Sequence, residues 1–278
     1  MKKSILFILI GISFSLFSQK PLKPKKGQFY IYWGWNKSDY SKSDIHFKGD
    51  NYDFTLQNVV ANDRQSKFES RIYLNPKNMT IPQYNFRLGY FINDKYNISI
   101  GADHMKYVMQ NGLNSKISGT ISNTNTIYDG TYENEDINLA NDFVLFEHTD
   151  GLNYENIEIR RFDYLYTSKY INIAVNEGLG LGVLIPKTNC TLINNERYDE
   201  FHVAGYGLGA VVSLNFEFFK YFFLQAEYKA GFINMPNIRT TKFESDIASQ
   251  HFFFSQYNAV FGAIFPLFKA KEKKEISK

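Results

Sequence analysis

Along most of this chain hydrophobic and polar residues alternate with a period of two, in runs of about ten residues, and that period places one set on each face of a β-strand. Eight such runs stand out, at residues 28–36, 82–92, 96–108, 152–166, 170–185, 201–218, 222–233 and 251–265. In the first, Phe29, Ile31, Trp33 and Trp35 alternate with Tyr30, Tyr32 and Gly34; in the fifth, Ile171, Ile173, Val175, Leu179, Leu181 and Val183 alternate with Asn172, Ala174, Asn176, Gly178, Gly180 and Gly182. The fourth, around Ile157 and Ile159, is the weakest. Runs two and three, four and five, and six and seven are separated by only residues 93–95, 167–169 and 219–221, which predicts tight hairpin turns. The other connections are long, about residues 37–81, 109–151, 186–200 and 234–250.

Glycines and charges share the face opposite the apolar one, so a soluble barrel or sandwich with its apolar face inward fits poorly. The pattern predicts an all-β fold, a closed antiparallel up-and-down transmembrane β-barrel of eight strands with long extracellular loops and short periplasmic turns. Composition agrees: aromatics are 17% of the chain, with 26 Phe and 20 Tyr against 7 Pro, and aromatic-rich strands suit a surface that meets both lipid and water. The negative mean hydropathy is compatible with this, because barrel strands turn every second residue inward.

At the N-terminus Lys2 and Lys3 precede an apolar run from Ile5 to Phe17 that is too short for a membrane-spanning helix, and Ser18 is small enough for cleavage. Residues 1–18 therefore read as a signal peptide, 19–26 as a basic periplasmic segment, 27–268 as the barrel and 269–278 as a basic periplasmic tail. With an even strand number both termini fall on the periplasmic side of a bacterial outer membrane. The lysine clusters at the two ends meet where strands one and eight close the barrel, where they suit anionic headgroups. A single cysteine, Cys190, allows no intramolecular disulfide, and a net charge of +3 gives no reason to expect a nucleic-acid partner.

With the signal peptide, the up-down hairpins and an aromatic final strand carrying Tyr257, Phe261 and Phe265 in place, the chain resembles the eight-stranded OmpA/OmpX-type outer-membrane barrels of Gram-negative bacteria. The resemblance covers residues 27–268 and is one of architecture. It implies a Gram-negative outer-membrane location; no peptidoglycan-binding domain is expected after the barrel.

Arg87, Asp103, Glu158, Arg160, Glu217, Glu227 and Lys229 fall on the expected inner face. Such a barrel is only wide enough to be filled by side chains, so these charges are expected to pair across the lumen, Arg87 with Asp103 or Glu158. Two charges break the apolar set: Arg161 and Glu177 count to the lipid face near mid-height on hairpin neighbours. Either a β-bulge in each strand turns them inward, or this face meets another outer-membrane protein.

The five histidines, His46, His104, His148, His202 and His251, fall in external loops or at outer strand ends. Asp103 beside His104, and Glu147 and Asp150 around His148, are the weak catalytic candidates, with Ser118, Ser249 and Ser255 as serines for a Ser-His-acid set. Asp44, Asp50 and Asp53 lack the spacing of a calcium loop; no metal motif is present and no cofactor is expected. The runs at Asp44–Leu56 and Lys116–Ile121 suggest loops with structure of their own. The function read from this pattern is non-enzymatic, binding a ligand or partner through the loops or serving in a membrane protein complex. A barrel enzyme acting on lipid or peptide through the outer-rim His and acid residues, and a narrow channel, remain the alternatives. Outer-membrane lipid is the expected partner in every case.

Overall fold

The structure is a computed structural model that describes residues 25–266 except 76, 79, 194 and 220; the expected signal peptide, most of the segment 19–26 and the tail 269–278 lie outside the described residues. In chain order its elements are β1 (Gln28–Tyr40), β2 (Ser43–Gly49), β3 (Tyr52–Val59), β4 (Ala61–Asn62), α1 (Ser70–Tyr73), β5 (Tyr84–Phe91), β6 (Tyr96–Met109), β7 (Asn114–Ile121) and β8 (Gly130–Asn138). They continue with β9 (Val144–Thr167), β10 (Ile171–Leu184), β11 (Asn189–Leu192), β12 (Gly205–Phe218), β13 (Phe222–Arg239) and β14 (Ile247–Pro266).

Strands β1, β5, β6, β9, β10, β12, β13 and β14 pair antiparallel in that order, and β14 pairs back onto β1 to close an eight-stranded barrel. Partners traced once around run from Phe29 through Tyr90, Ile98, Ile159, Leu179, Ala210, Ala230 and Ser255 to Asp39, ten residues further along the starting strand. A stagger of ten over eight strands tilts them by roughly 40° and leaves a lumen that side chains fill. The outward apolar positions span about ten residues per strand, a belt about 25 Å tall at that tilt. Leu179 and Leu181 in this belt are 66% and 63% exposed, as lipid-facing leucines should be.

Towards the end that carries the long connections, the wall inverts its polarity. On β6 the inward residues pass from Asn97, Ser99 and Asp103 to Met105, Tyr107 and Met109; on β14 they pass from Asn258 and Gln256 to Phe254 and Phe252. On β13, Glu227 and Lys229 give way to Ile233 and Met235, while outward positions on β14 such as Ser249 and His251 become polar. Inside the belt the solvent is lipid and the lumen is polar; beyond it the strands obey the rule of a water-soluble protein.

The long connections build on this extension. Where β1 ends, β2 takes its place beside β14, and β3, β7 and β8 continue the sheet outward; β4 pairs with β6 and β11 with β9. Their inward residues, among them Ile45, Phe47, Phe54, Leu56, Ile117 and Leu192, join Met105, Tyr107, Phe146, Ile233 and Phe252 in one buried apolar cluster. The free edge β8 carries Glu133, Glu135 and Asp136, charges that discourage edge-to-edge pairing. Helix α1 rests against the belt through Tyr73, whose ring lies 5.8 Å from that of Trp35.

Candidate functional site

Polar residues of the lumen are brought together by the stagger of the ring. Glu158 is the hub: its carboxylate lies 2.9 Å from Arg87, 2.5 Å from Arg160 and 2.7 Å from Lys229. Arg160 also reaches Glu227 at 2.7 Å, Lys229 reaches Asp103 at 2.5 Å, and Arg87 lies 3.9 Å from Asp103. Three cations thus face three carboxylates, so the inner set is neutral.

Neutral groups complete it. Arg87 donates to Tyr32 Oη at 2.9 Å, Ser99 Oγ at 3.1 Å and Asn156 Oδ1 at 2.7 Å. Asn85 and Asn156 donate to Asp103, while Asn258 and Gln225 donate to Glu227. All six charged residues are buried, so solvent does not reach them. The room comes from glycine: a Cβ on Gly178 would lie 2.6 Å from Arg160 Cγ, and one on Gly180 2.5 Å from Glu158 Cγ.

Apolar layers close this network at both ends. On the tight-turn side, Tyr30, Phe91, Phe162, Phe223, Val260 and Ile264 form a second buried cluster with Tyr164 against it. Glu217 sits in that layer, away from the hub, paired with Lys25 Nζ and accepting from Tyr164 Oη at 2.8 Å. On the long-connection side lies the large cluster of the extension. The lumen is a dry, neutral polar core between two apolar plugs, an arrangement that fixes register and opposes ion flow.

The weak catalytic candidates do not converge. Adjacent residues on a strand point to opposite faces, so Asp103 faces the lumen while His104 stacks outside on Tyr84, ring centroids 4.9 Å apart, with its Nδ1 2.7 Å from Asn153 Oδ1. His148 is no surface histidine: it is fully buried in the apolar extension, Nδ1 3.0 Å from Thr188 Oγ1, and burial pushes its pKa down to about 3. Asp150 lies on the surface, 3.4 Å from Lys187.

One histidine–carboxylate contact went unread in the sequence. His46 Nε2 lies 2.7 Å from Asp53 Oδ1 on the exposed face of the β2–β3 hairpin. They lie seven residues apart in no recognisable motif, and only the hairpin register brings them together. Ser249 pairs with His46 across β14 and β2, yet among the described residues no hydrogen bond joins its hydroxyl to that ring.

Arg161 and Glu177 are register partners on the outer face, and the pairing runs through them without a bulge; the one register shift between these strands lies nearer the turn, at Ile173/Ala174. The expected inward turn is therefore absent. Arg161 is instead compensated from its own strand by Asp163 at 2.5 Å, which lies 3.6 Å from Lys95 in the neighbouring turn. Arg161 also pairs with Tyr96, the first residue of β6, which sets it in the half of the wall nearer the tight turns.

No protein-family model matches the chain, and no curated protein aligns with it. Solved structures of similar arrangement include the outer membrane protein OprG from Pseudomonas aeruginosa, 10% identical, covering 87% of this chain and 97% of that one with a TM-score of 0.41. The attachment invasion locus protein Ail of Yersinia pestis is 11% identical, covering 86% and 99% with a TM-score of 0.32. The outer membrane protein AlkL, determined in lipid bilayers, is 10% identical, covering 92% and 98% with a TM-score of 0.40. The ring itself rests on the strand registers described above.

Proposed function

We propose that this protein is a non-enzymatic bacterial outer-membrane barrel whose work is done on its outer side, by a platform built from the four long connections that binds a ligand or partner. The tight turns and both termini then lie in the periplasm, as in barrels with short periplasmic turns. The observation that carries this reading is that all four connections pack into one apolar core seated on the barrel mouth. Connections of this length are rarely ordered without a role, and binding residues concentrate on loops held by a rigid scaffold. The sealed lumen speaks against a channel, and the scattered histidines and acids speak against the enzyme reading.

Binding of the purified barrel in lipid nanodiscs to arrays of saccharides and short peptides tests the proposal. Wild-type protein should bind members of such an array, and a variant with its hairpin tips at 50–51, 123–124 and 242–244 exchanged for Gly-Ser should lose that binding while keeping its heat-dependent gel mobility. Binding that survives the exchange would contradict a role for the platform.

A further inference from the structure

Outward positions of β10 run from Ile171 to Val183, and Glu177 is the central one. Lipid therefore meets a carboxylate near mid-height of the belt. Its register partner on β9 is Arg161, and on the other side the row continues to Val212 of β12. Arg161 leans towards the tight turns, where Asp163 and Lys95 compensate it. Glu177 has no such help: among the described residues no ion pair and no side-chain hydrogen bond reaches its carboxylate.

Lipid tails offer no hydrogen bonds, so a charge on this face is costly. Ionisable groups held within a membrane generally pair with one another or with a neighbouring protein. Because the register runs through Arg161 and Glu177 without a bulge, neither is withdrawn from the outer face. The wall just above them is apolar and open, with Ile159 52% and Leu179 66% exposed.

The order of the two charges decides which partner suits them. Copies of a barrel inserted with the same side outward meet face to face about a two-fold axis along the membrane normal. Such an axis exchanges left and right and preserves height. Where it passes between β9 and β10, Arg161 of one protomer stands opposite Glu177 of its partner, and Glu177 opposite Arg161. Strands roughly 4.8 Å apart and tilted by about 40° offset the two positions in height by about 3 Å, a step that the long arginine side chain spans. The face is complementary to itself, and each contact is of the charge-assisted kind that arginine makes with a carboxylate. An unrelated protein has to carry the reverse order of charges on its own wall; a second copy already does.

We propose that two copies of this chain associate in the membrane through the outer face of β9 and β10, joined by reciprocal Arg161–Glu177 pairs with Ile159 and Leu179 packed beside the axis. The dimer sets two platforms side by side on the outer surface, whatever they bind, so that a repeated ligand is held at two points.

Förster transfer between donor- and acceptor-labelled full-length protein in lipid vesicles tests it. Wild-type protein should show transfer that persists on dilution with lipid. Arg161→Glu alone and Glu177→Arg alone should each weaken self-association by about tenfold or more, because each sets like charges opposite one another. Mixed together, the two variants should associate as wild type does, since one copy then presents only carboxylates at these positions and the other only guanidinium groups. A purely intramolecular role for the two residues predicts no such recovery.

The shift in gel mobility on boiling verifies folding of each variant. Where Glu177→Arg fails to fold, a short thiol crosslinker applied to Leu179→Cys and Tyr228→Cys in the same vesicles decides, since the native Cys190 is buried. Leu179→Cys, beside the axis, should yield covalent dimers, and Tyr228→Cys on β13 should not. Absence of wild-type transfer, transfer untouched by both single variants, no recovery in the mixture, or crosslinking that does not distinguish Leu179→Cys from Tyr228→Cys would overturn the proposal.

Discussion

Glu158→Gln is the perturbation that presses hardest on the luminal core. Its carboxylate lies within 2.9 Å of Arg87, Arg160 and Lys229, and the inner set of three cations and three carboxylates becomes one charge short. Arg160 keeps Glu227 at 2.7 Å and Lys229 keeps Asp103 at 2.5 Å. Arg87 is left with neutral oxygens and Asp103 at 3.9 Å. Breaking a buried ion pair by removing one partner costs about 3–5 kcal/mol, and with Arg87 fully buried and no solvent to relieve it, a loss in that range is expected. Adding Lys229→Met restores neutrality, so the double variant should be less destabilised than the sum of the singles by more than about 1 kcal/mol. Reversible urea unfolding in lipid vesicles, followed through Trp33 and Trp35 on the barrel wall, measures both. An unchanged midpoint for Glu158→Gln, or strict additivity in the double variant, would refute a dry, coupled network.

Two further outcomes follow from the structure. The unfolded His148 imidazole takes up a proton below about pH 6.5 whereas the folded one resists until about 3, so stability is complete above 6.5 and falls as pH descends through that window. Between pH 7.5 and 5 this group should cost about 2 kcal/mol, and His148→Leu should flatten that part of the pH profile of urea midpoints. Gly178→Ala sets a methyl group 2.6 Å from Arg160 Cγ and 2.4 Å from Ile159 O, and should lower stability by about 1–3 kcal/mol in the same unfolding assay; the same change at exposed Gly112, where nothing lies near, avoids that clash but meets a left-handed backbone instead.

The barrel was legible because a period of two survives any uncertainty about strand ends: Phe29 to Trp35 and Ile171 to Val183 declare their faces without a partner in view. The inner charges were legible for the same reason. Which acid meets which base was not, because Arg87 on β5 reaches Glu158 on β9 only through a ring stagger set by all eight registers. Asp103 and His104 show a rule left unused: neighbours on a strand cannot share a site on one face. The platform lay hidden in an inversion of polarity. Met105, Tyr107 and Met109 continue the inward set of Asp103, and Ile233 and Met235 that of Lys229, so a strand read as ending was changing solvent. Arg161 misled because its compensation by Asp163, two positions along the same face, needs no bulge.

Ion conductance of the purified protein in planar lipid bilayers tests the sealed barrel most directly. Two apolar plugs around a neutral, solvent-free network predict no single-channel steps above the lipid baseline at neutral pH, for wild type and for the tip-exchange variant alike. Steady open-channel current through the wild-type barrel would contradict the account, because it would require a water-filled path where Arg87, Arg160 and Lys229 are buried.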